Sequence, residues 1–300
     1  MARKSRRHRS SLRRRKNTGR ILPVALMAGV SLAVLGGGGY IAYQDMQTIK
    51  PDELGCYPVS DRPQTIVLVD SSDPGFDPVQ SRDLINGIFT QFKMLSFNED
   101  FSIITTQASR IGSIPEPVIS LCVPAKSPDD LELVGAASAT LAYVQRQAEK
   151  VYEQTLMPVL ENVFSSDPAV GDRQSHESPI LEQIQSVSRL PGFGTARQKR
   201  LILVSDMLQN TQERQFCHTQ GHLPSFAKFK TSDYFGRVQP ASLTGADVTV
   251  YMPIRGQLGQ KPYPYCTEDE LRTFWRDYFN DAGARTVEFI RIRRGYSAKQ

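Results

Sequence analysis

Gln64-Thr65-Ile66-Val67-Leu68-Val69-Asp70 and Arg200-Leu201-Ile202-Leu203-Val204-Ser205-Asp206 decide how this chain of 300 residues is read. Each is a run of apolar, largely β-branched side chains without alternation, the pattern of a strand buried on both faces of a parallel sheet. Each ends on an aspartate. Working outward, Asp77-Pro78 opens a helix predicted to run to about Met94, with Asp as N-cap and Pro at the first helical position. Phe101 to Thr106, Pro117 to Val123, Asp247 to Pro253 and Thr286 to Ile292 read as further strands. Leu131 to Phe164 reads as a long helical stretch broken near Pro158, because Leu141, Val144, Ala148, Val151 and Tyr152 recur at helical spacing. Helices are also predicted from Pro179 to Ser188 and from Thr267 to Ala282, with a long irregular segment from Met207 to about Ala246. Strands alternating with helices imply an α/β fold with a mostly parallel sheet.

Upstream of the first strand the composition changes sharply. Residues 1–20 carry ten Lys or Arg and no acid, which leaves 26 basic against 31 acidic residues in the rest of the chain. The net charge of +5 therefore belongs to the tail, and the folded part lacks the basic character of a nucleic-acid binder. Residues 21–43 contain no charged side chain; at about 1.5 Å per residue they span a hydrocarbon core of about 30 Å. Pro23 and Gly36 to Gly39 fall inside this run, as membrane helices tolerate. A cleaved signal peptide is the competing reading, but its apolar region is normally shorter and no A-x-A site follows. Arg13-Arg14-Arg15 lacks the apolar pair of a twin-arginine signal, and Asp52-Glu53 before Leu54-Gly55-Cys56 argues against a lipoprotein site. The reading is a basic cytoplasmic tail at 1–20, a transmembrane helix at 21–43, a linker at 44–63 and a domain at 64–300. The positive-inside rule places that domain in the periplasm or outside the cell.

Cys56, Cys122, Cys217 and Cys266 all lie beyond the apolar run, and an even number in an oxidising compartment fits two disulfides. Cys56–Cys122 and Cys217–Cys266 is the preferred pairing, since each pair fits on one side of the sheet; four buried thiols is the alternative.

Carboxylates that end buried strands are costly unless a cation or hydrogen-bond donors meet them, and in open α/β sheets ligands bind at that end. Ser71, Ser72 and Asp73 follow Asp70, and Ser178 precedes the helix at Pro179. An all-oxygen set of this kind suits Mg2+ or Ca2+. From about Thr65 to Ile292 the chain resembles the von Willebrand factor A domain family, whose metal-ion-dependent adhesion site combines an Asp-x-Ser-x-Ser loop, a Thr before a later helix and an Asp after the fourth strand. Asp70-Ser71-Ser72-Asp73-Pro74 matches that loop at its Asp and first Ser. Glu177-Ser178-Pro179-Ile180 resembles the family's helix start, with Ser178 in the Thr position, and Leu201 to Asp206 resembles its fourth strand.

The resemblance implies a doubly wound, Rossmann-like sheet with insertions at about 131–164 and 207–246. It implies that Ser72 and Ser178 touch a divalent cation, that Asp70 and Asp206 hold it directly or through water, and that a partner's carboxylate completes the shell. Pro74 stands where the second Ser belongs, so one hydroxyl is missing and Asp73 or water would replace it. The implied protein is a membrane-anchored, protein-binding adaptor of an envelope-associated assembly, without catalysis. An extracytoplasmic hydrolase using Asp70, Ser178 and His176 is the alternative, although no G-x-S-x-G elbow is present. Cys217, His218, His222 and Cys266 have the residue types of a zinc site, but Gly221 breaks the helix that would align the two His and a disulfide accounts for both Cys. Phe274, Trp275, Tyr278 and Phe279 read as the core face of the last helix.

Overall fold

β1 (Gln64–Val69) lies inside a six-stranded sheet, between β2 (Asp100–Thr105) and β4 (Lys199–Val204), both parallel to it. This placement explains its unbroken apolar sequence. Ile66 and Leu68 point into one core and Val67 and Val69 into the other. β5 (Ala246–Pro253) and β6 (Thr286–Ile292) continue the parallel arrangement, while β3 (Ile119–Cys122) pairs antiparallel with β2. The order is β3-β2-β1-β4-β5-β6. It reverses between β1 and β4, the point at which open α/β sheets form a crevice.

The computed structural model describes residues 48–71, 76–106, 116–166, 177–217, 223–254 and 266–295. The basic tail at 1–20 and the apolar run at 21–43 lie outside them. Among the described residues no helix is long and apolar enough to cross a membrane.

One face of the sheet is covered by α1 (Pro78–Met94) and by a long helical segment: α3 (Leu141–Lys150), a π-helical turn (Val151–Leu156) and α4 (Met157–Val163). α1 starts as its sequence predicts. The Asp77 carboxylate accepts from the N–H groups of Val79 and Gln80, and Gln80 reaches back to close a capping box. The predicted break at Pro158 is absent. Proline has no N–H to donate and crowds the preceding turn; here the widened π turn just before it, with Met157 N–H bonded to the Tyr152 carbonyl, absorbs the defect. The interruption falls at 134–140, which separates α2 (Pro128–Leu133) from α3.

The other face carries α5 (Ile180–Ser188), α6 (Pro191–Thr195), α7 (Phe226–Lys230), α8 (Asp233–Val238) and α9 (Glu268–Asp281). α7 and α8 lie in the stretch expected to be irregular. The core here is aromatic: Phe216, Phe226, Phe229, Phe274, Trp275, Tyr278 and Phe279 meet at ring distances of 4.9–6.2 Å, mostly edge to face. The α9 aromatics are buried there, as their spacing predicts.

Cys56 bonds Cys122 and Cys217 bonds Cys266, with Cα separations of 5.0 and 5.3 Å. Two disulfides fit an extracytoplasmic domain, since reducing compartments do not sustain them. The first ties the lead-in segment to edge strand β3. The second ties the segment after β4 to the start of α9.

Candidate functional site

The carboxyl ends of β1 and β4 meet at the reversal of strand order. The two strands pair Val69 with Val204, and Asp70 N–H donates to the Val204 carbonyl at 2.8 Å, so the next residue of β4 beside Asp70 is Ser205. Asp206 lies one position farther on.

Asp70 is buried and surrounded by hydroxyls. Its Oδ1 accepts from Thr106 Oγ1 at 3.3 Å, and its Oδ2 accepts from Ser178 Oγ at 2.9 Å and Ser205 Oγ at 3.1 Å. Each donor comes from a different element: the end of β2, the approach to α5 and the end of β4. A buried carboxyl group is costly unless donors meet it, and three hydroxyls do so here. The pocket is thus built to hold a carboxylate where three strands end. Ser71 extends the network, its N–H donating to Thr106 Oγ1 at 2.9 Å and its hydroxyl to the Thr106 carbonyl.

Asp206 does different work. Its Oδ1 accepts from Leu208 N–H at 3.1 Å, closing a local Asx turn. Met207, between them, sits in the left-handed region at φ 63°. That conformation costs a non-glycine residue about 1–2 kcal/mol. It is held by Ser205 Oγ, which accepts Met207 N–H at 2.8 Å, and by Trp275 Nε1, which donates to the Met207 carbonyl at 2.8 Å. Backbone strain of this kind gathers at ligand sites when the surroundings over-determine it.

The loops bearing Ser178 and Asp206 are fastened together. Ser178 and Asn210 exchange both backbone hydrogen bonds, at 2.7 and 2.9 Å. Gln209 is fully buried. Its Oε1 accepts Leu181 N–H at 2.9 Å at the start of α5, and its Nε2 donates to Glu182 Oε2 at 2.9 Å and to Tyr234 Oη at 3.0 Å. Tyr234 in turn donates to the other Glu182 oxygen. Burial, and after it the adjoining Glu182 carboxylate, push the Tyr234 phenol well above its ordinary range, which keeps the proton on the tyrosine as this donation requires.

Of the residues singled out from the sequence, Asp70 and Ser178 are in direct contact, and Asp206 follows Ser205, another donor to Asp70, by one residue. Ser72, Asp73, His176, His218 and His222 lie outside the described residues. Sequence reasoning missed Thr106, Ser205 and Gln209. The first two were visible as polar residues ending apolar strands, Thr105-Thr106 and Val204-Ser205, but only the parallel register shows that they face Asp70. Cys217 and Cys266 are consumed by their disulfide and have no thiolate for zinc. Among the described residues no three His, Cys, Asp or Glu side chains are grouped closely enough to hold a metal. What the described part of the site offers is oxygen alone: two carboxylates and the hydroxyls of Thr106, Ser178 and Ser205. Each hydroxyl that donates its hydrogen to Asp70 keeps lone pairs for another partner.

No protein-family model matches the chain, and no curated protein matches it. Among solved structures, an aerotolerance-related membrane protein from Bacteroides fragilis, carrying multiple mutations to serine, aligns over 77% of this chain and 91% of its own, at 11% identity and a TM-score of 0.35. The conserved hypothetical protein BatB from Bacteroides thetaiotaomicron aligns over 79% of this chain and 93% of its own, at 14% identity and a TM-score of 0.36.

Proposed function

We propose that the chain is a membrane-anchored binding module of the von Willebrand factor A type, presenting the carboxyl end of its sheet to a protein partner outside the cytoplasm. The observation that carries this reading is the buried Asp70 carboxylate at the reversal of strand order, held by three hydroxyl donors on three elements. Ligands of open α/β sheets bind at that position. A hard divalent cation, Mg2+ or Ca2+, fits the chemistry of an all-oxygen donor set. Asp70, Asp206 and Ser178 would hold it, with Ser72 added by the family resemblance and Asp73 or water in place of the hydroxyl lost to Pro74. A bound cation would offer its open position to a carboxylate of the partner, as in an adaptor of an envelope-associated assembly.

The test is the thermal stability of the full chain in nanodiscs, with and without Mg2+ or Ca2+. A ligand present at a hundred times its dissociation constant stabilises the folded state by about 2.7 kcal/mol. The shift is expected in the native chain, reversed by EDTA, and lost in Asp70→Ala and Asp206→Ala. No shift with either cation would remove the metal from the reading. Partner recovery from membranes that was equal for the native chain and Asp70→Ala would remove the site itself.

A further inference from the structure

The end of the sheet opposite Asp70 carries a different surface. β1 is entered at Gln64 from the lead-in segment, and Cys122, paired with Asp100 at the start of β2, holds that segment through Cys56. Cys122 N–H also donates to the Leu54 carbonyl at 2.9 Å. The 133–143 stretch joins the same surface. Ile49 N–H donates to the Gly135 carbonyl at 3.3 Å, and Tyr143 lies near enough to Tyr57 to raise its phenol electrostatically, after the larger effect of burial. Large apolar side chains stand out in water here: Leu133 is 81% exposed, Tyr143 56%, Leu54 50%, Leu141 49% and Ile49 41%. A folded domain does not gain by leaving these together in solvent, and exposed apolar patches with a polar rim mark interaction surfaces.

Chain length selects what covers the patch. Six peptide units separate Tyr43, the end of the apolar run, from Ile49, and fully extended they reach about 20 Å. The headgroup layer alone takes up about 5–8 Å of that on each side of the hydrocarbon. We propose that the face formed by Ile49, Leu54, Leu133, Leu141 and Tyr143 lies against the lipid interface of the membrane that anchors the chain, which points the Asp70 end away from the bilayer. The proposal rests on residues 21–43 being the span. Leucine and isoleucine supply the buried area, and tyrosine suits the interface because its ring is apolar and its hydroxyl wet. The segments that carry the face hold Lys50 and Lys126 against Asp52, Glu53, Asp129 and Glu132, so it has no excess of cations to select an anionic lipid.

The single tryptophan, Trp275, is fully buried in the aromatic core and gives a constant background. The full chain would be placed in phosphatidylcholine nanodiscs with and without bromine on the acyl chains, as Leu133→Trp, Tyr143→Trp and, as a control at the far end, Glu213→Trp. Interfacial residues settle about 5–10 Å into the headgroup boundary, so bromolipid is expected to quench the first two about twofold and the control not at all. Adding phosphatidylglycerol is expected to leave the quenching unchanged. Equal quenching of all three positions, or none, overturns the proposal, as does a blue shift of Leu133→Trp without bromolipid quenching, which would mean that a second copy covers the face. If Leu133→Trp is unquenched while the chain stays with membranes after an alkaline carbonate wash, the docking fails and the anchor stands. If the wash releases the chain, the anchor reading fails too.

Discussion

Two stretches leave the sheet at length, residues 134–163 after β3 and, after β4, residues 207–217 with 223–241, and they are held by opposite means. The first is an amphipathic helix laid on the sheet. Val144, Ala148, Leu156 and Leu160 face the core, Val151, Val159 and Val163 pack at its margin, and Tyr152 meets Phe89 and Phe92 edge to face. The second is woven into the interior and covers a helix that would otherwise be at the surface. Every residue of α5 is buried, including Glu182, Gln183, Gln185, Ser186 and Ser188. Their partners come largely from the covering segment: Gln209 and Tyr234 for Glu182, the Arg237 and Gln239 carbonyls for Gln185, and Ala241 N–H for Ser188. Apolar attachment tolerates a shifted register, whereas a buried polar network does not, because each lost partner leaves a desolvated group behind. The segment beside the candidate site is therefore the one placed by specific polar partners, with Asn210 joined to Ser178 and Gln209 to the start of α5.

The largest effect is expected where that segment meets the aromatic core. Phe216 touches Phe229, Phe274 and Trp275. Phe216→Ala should cost about 3–5 kcal/mol in urea unfolding of the full chain followed by Trp275 fluorescence. A loss below 1 kcal/mol would mean that the segment lies on the core and is not part of it. Next comes Gln209→Ala, which strips a partner from Glu182, from Tyr234 and from Leu181 N–H at once. About 2–3 kcal/mol is expected, with loss of any cation-dependent shift because the Ser178 and Asp206 loops come apart. A variant equally destabilised that kept the cation response would show that the two loops hold their places independently.

How much of this was legible follows the same division. β1 and β4 could be read because central parallel strands are apolar on both faces, and their terminal aspartates pointed to the candidate site. α1 announced itself through the Asp77 cap, and α9 through the aromatic face of Phe274, Trp275, Tyr278 and Phe279. α5 was located but not understood, since Glu182, Gln183 and Gln185 look like a solvent face until residues distant in sequence cover them. α7 and α8 are too short to show a helical period; their only local signals are Ser225 and Ser232, whose hydroxyls cap the N–H groups of Lys228 and Phe235. Thr106 and Ser205 carry no signal by residue type, because a hydroxyl at a strand end is usually a turn residue. Only strand register brings them to Asp70.

The Cys217–Cys266 bond offers a finer test of how the covering segment is held. It closes a separation of 49 residues. Replacing both cysteines with serine should cost about 2–4 kcal/mol through the freedom returned to the unfolded chain. Because Phe216 and Gln209 still anchor the segment, binding at the Asp70 end should survive at temperatures where the variant is folded. Loss of binding in the folded variant would assign the disulfide, and not the polar network, the task of placing the site.

The smallest effect belongs to the outer face of the other stretch. Leu141 is half exposed at the start of α3, one turn from a core that Val144 and Ala148 already fill. Leu141→Ala keeps good helix propensity and removes little buried area, so stability in detergent should change by no more than about 0.5 kcal/mol. Val144→Ala on the inner face leaves a cavity and should cost about 1 kcal/mol or more. The pair separates the two demands on this helix. If Leu141 serves the fold, both substitutions lower stability in detergent and in bilayers alike. If it serves the membrane face, only Val144→Ala lowers stability, while Leu141→Ala weakens bromolipid quenching of Tyr143→Trp with the melting curve in detergent unchanged. The contrast between the woven segment and the laid-on helix then becomes a division of labour: the one shapes the binding end, and the other seats the domain on its membrane.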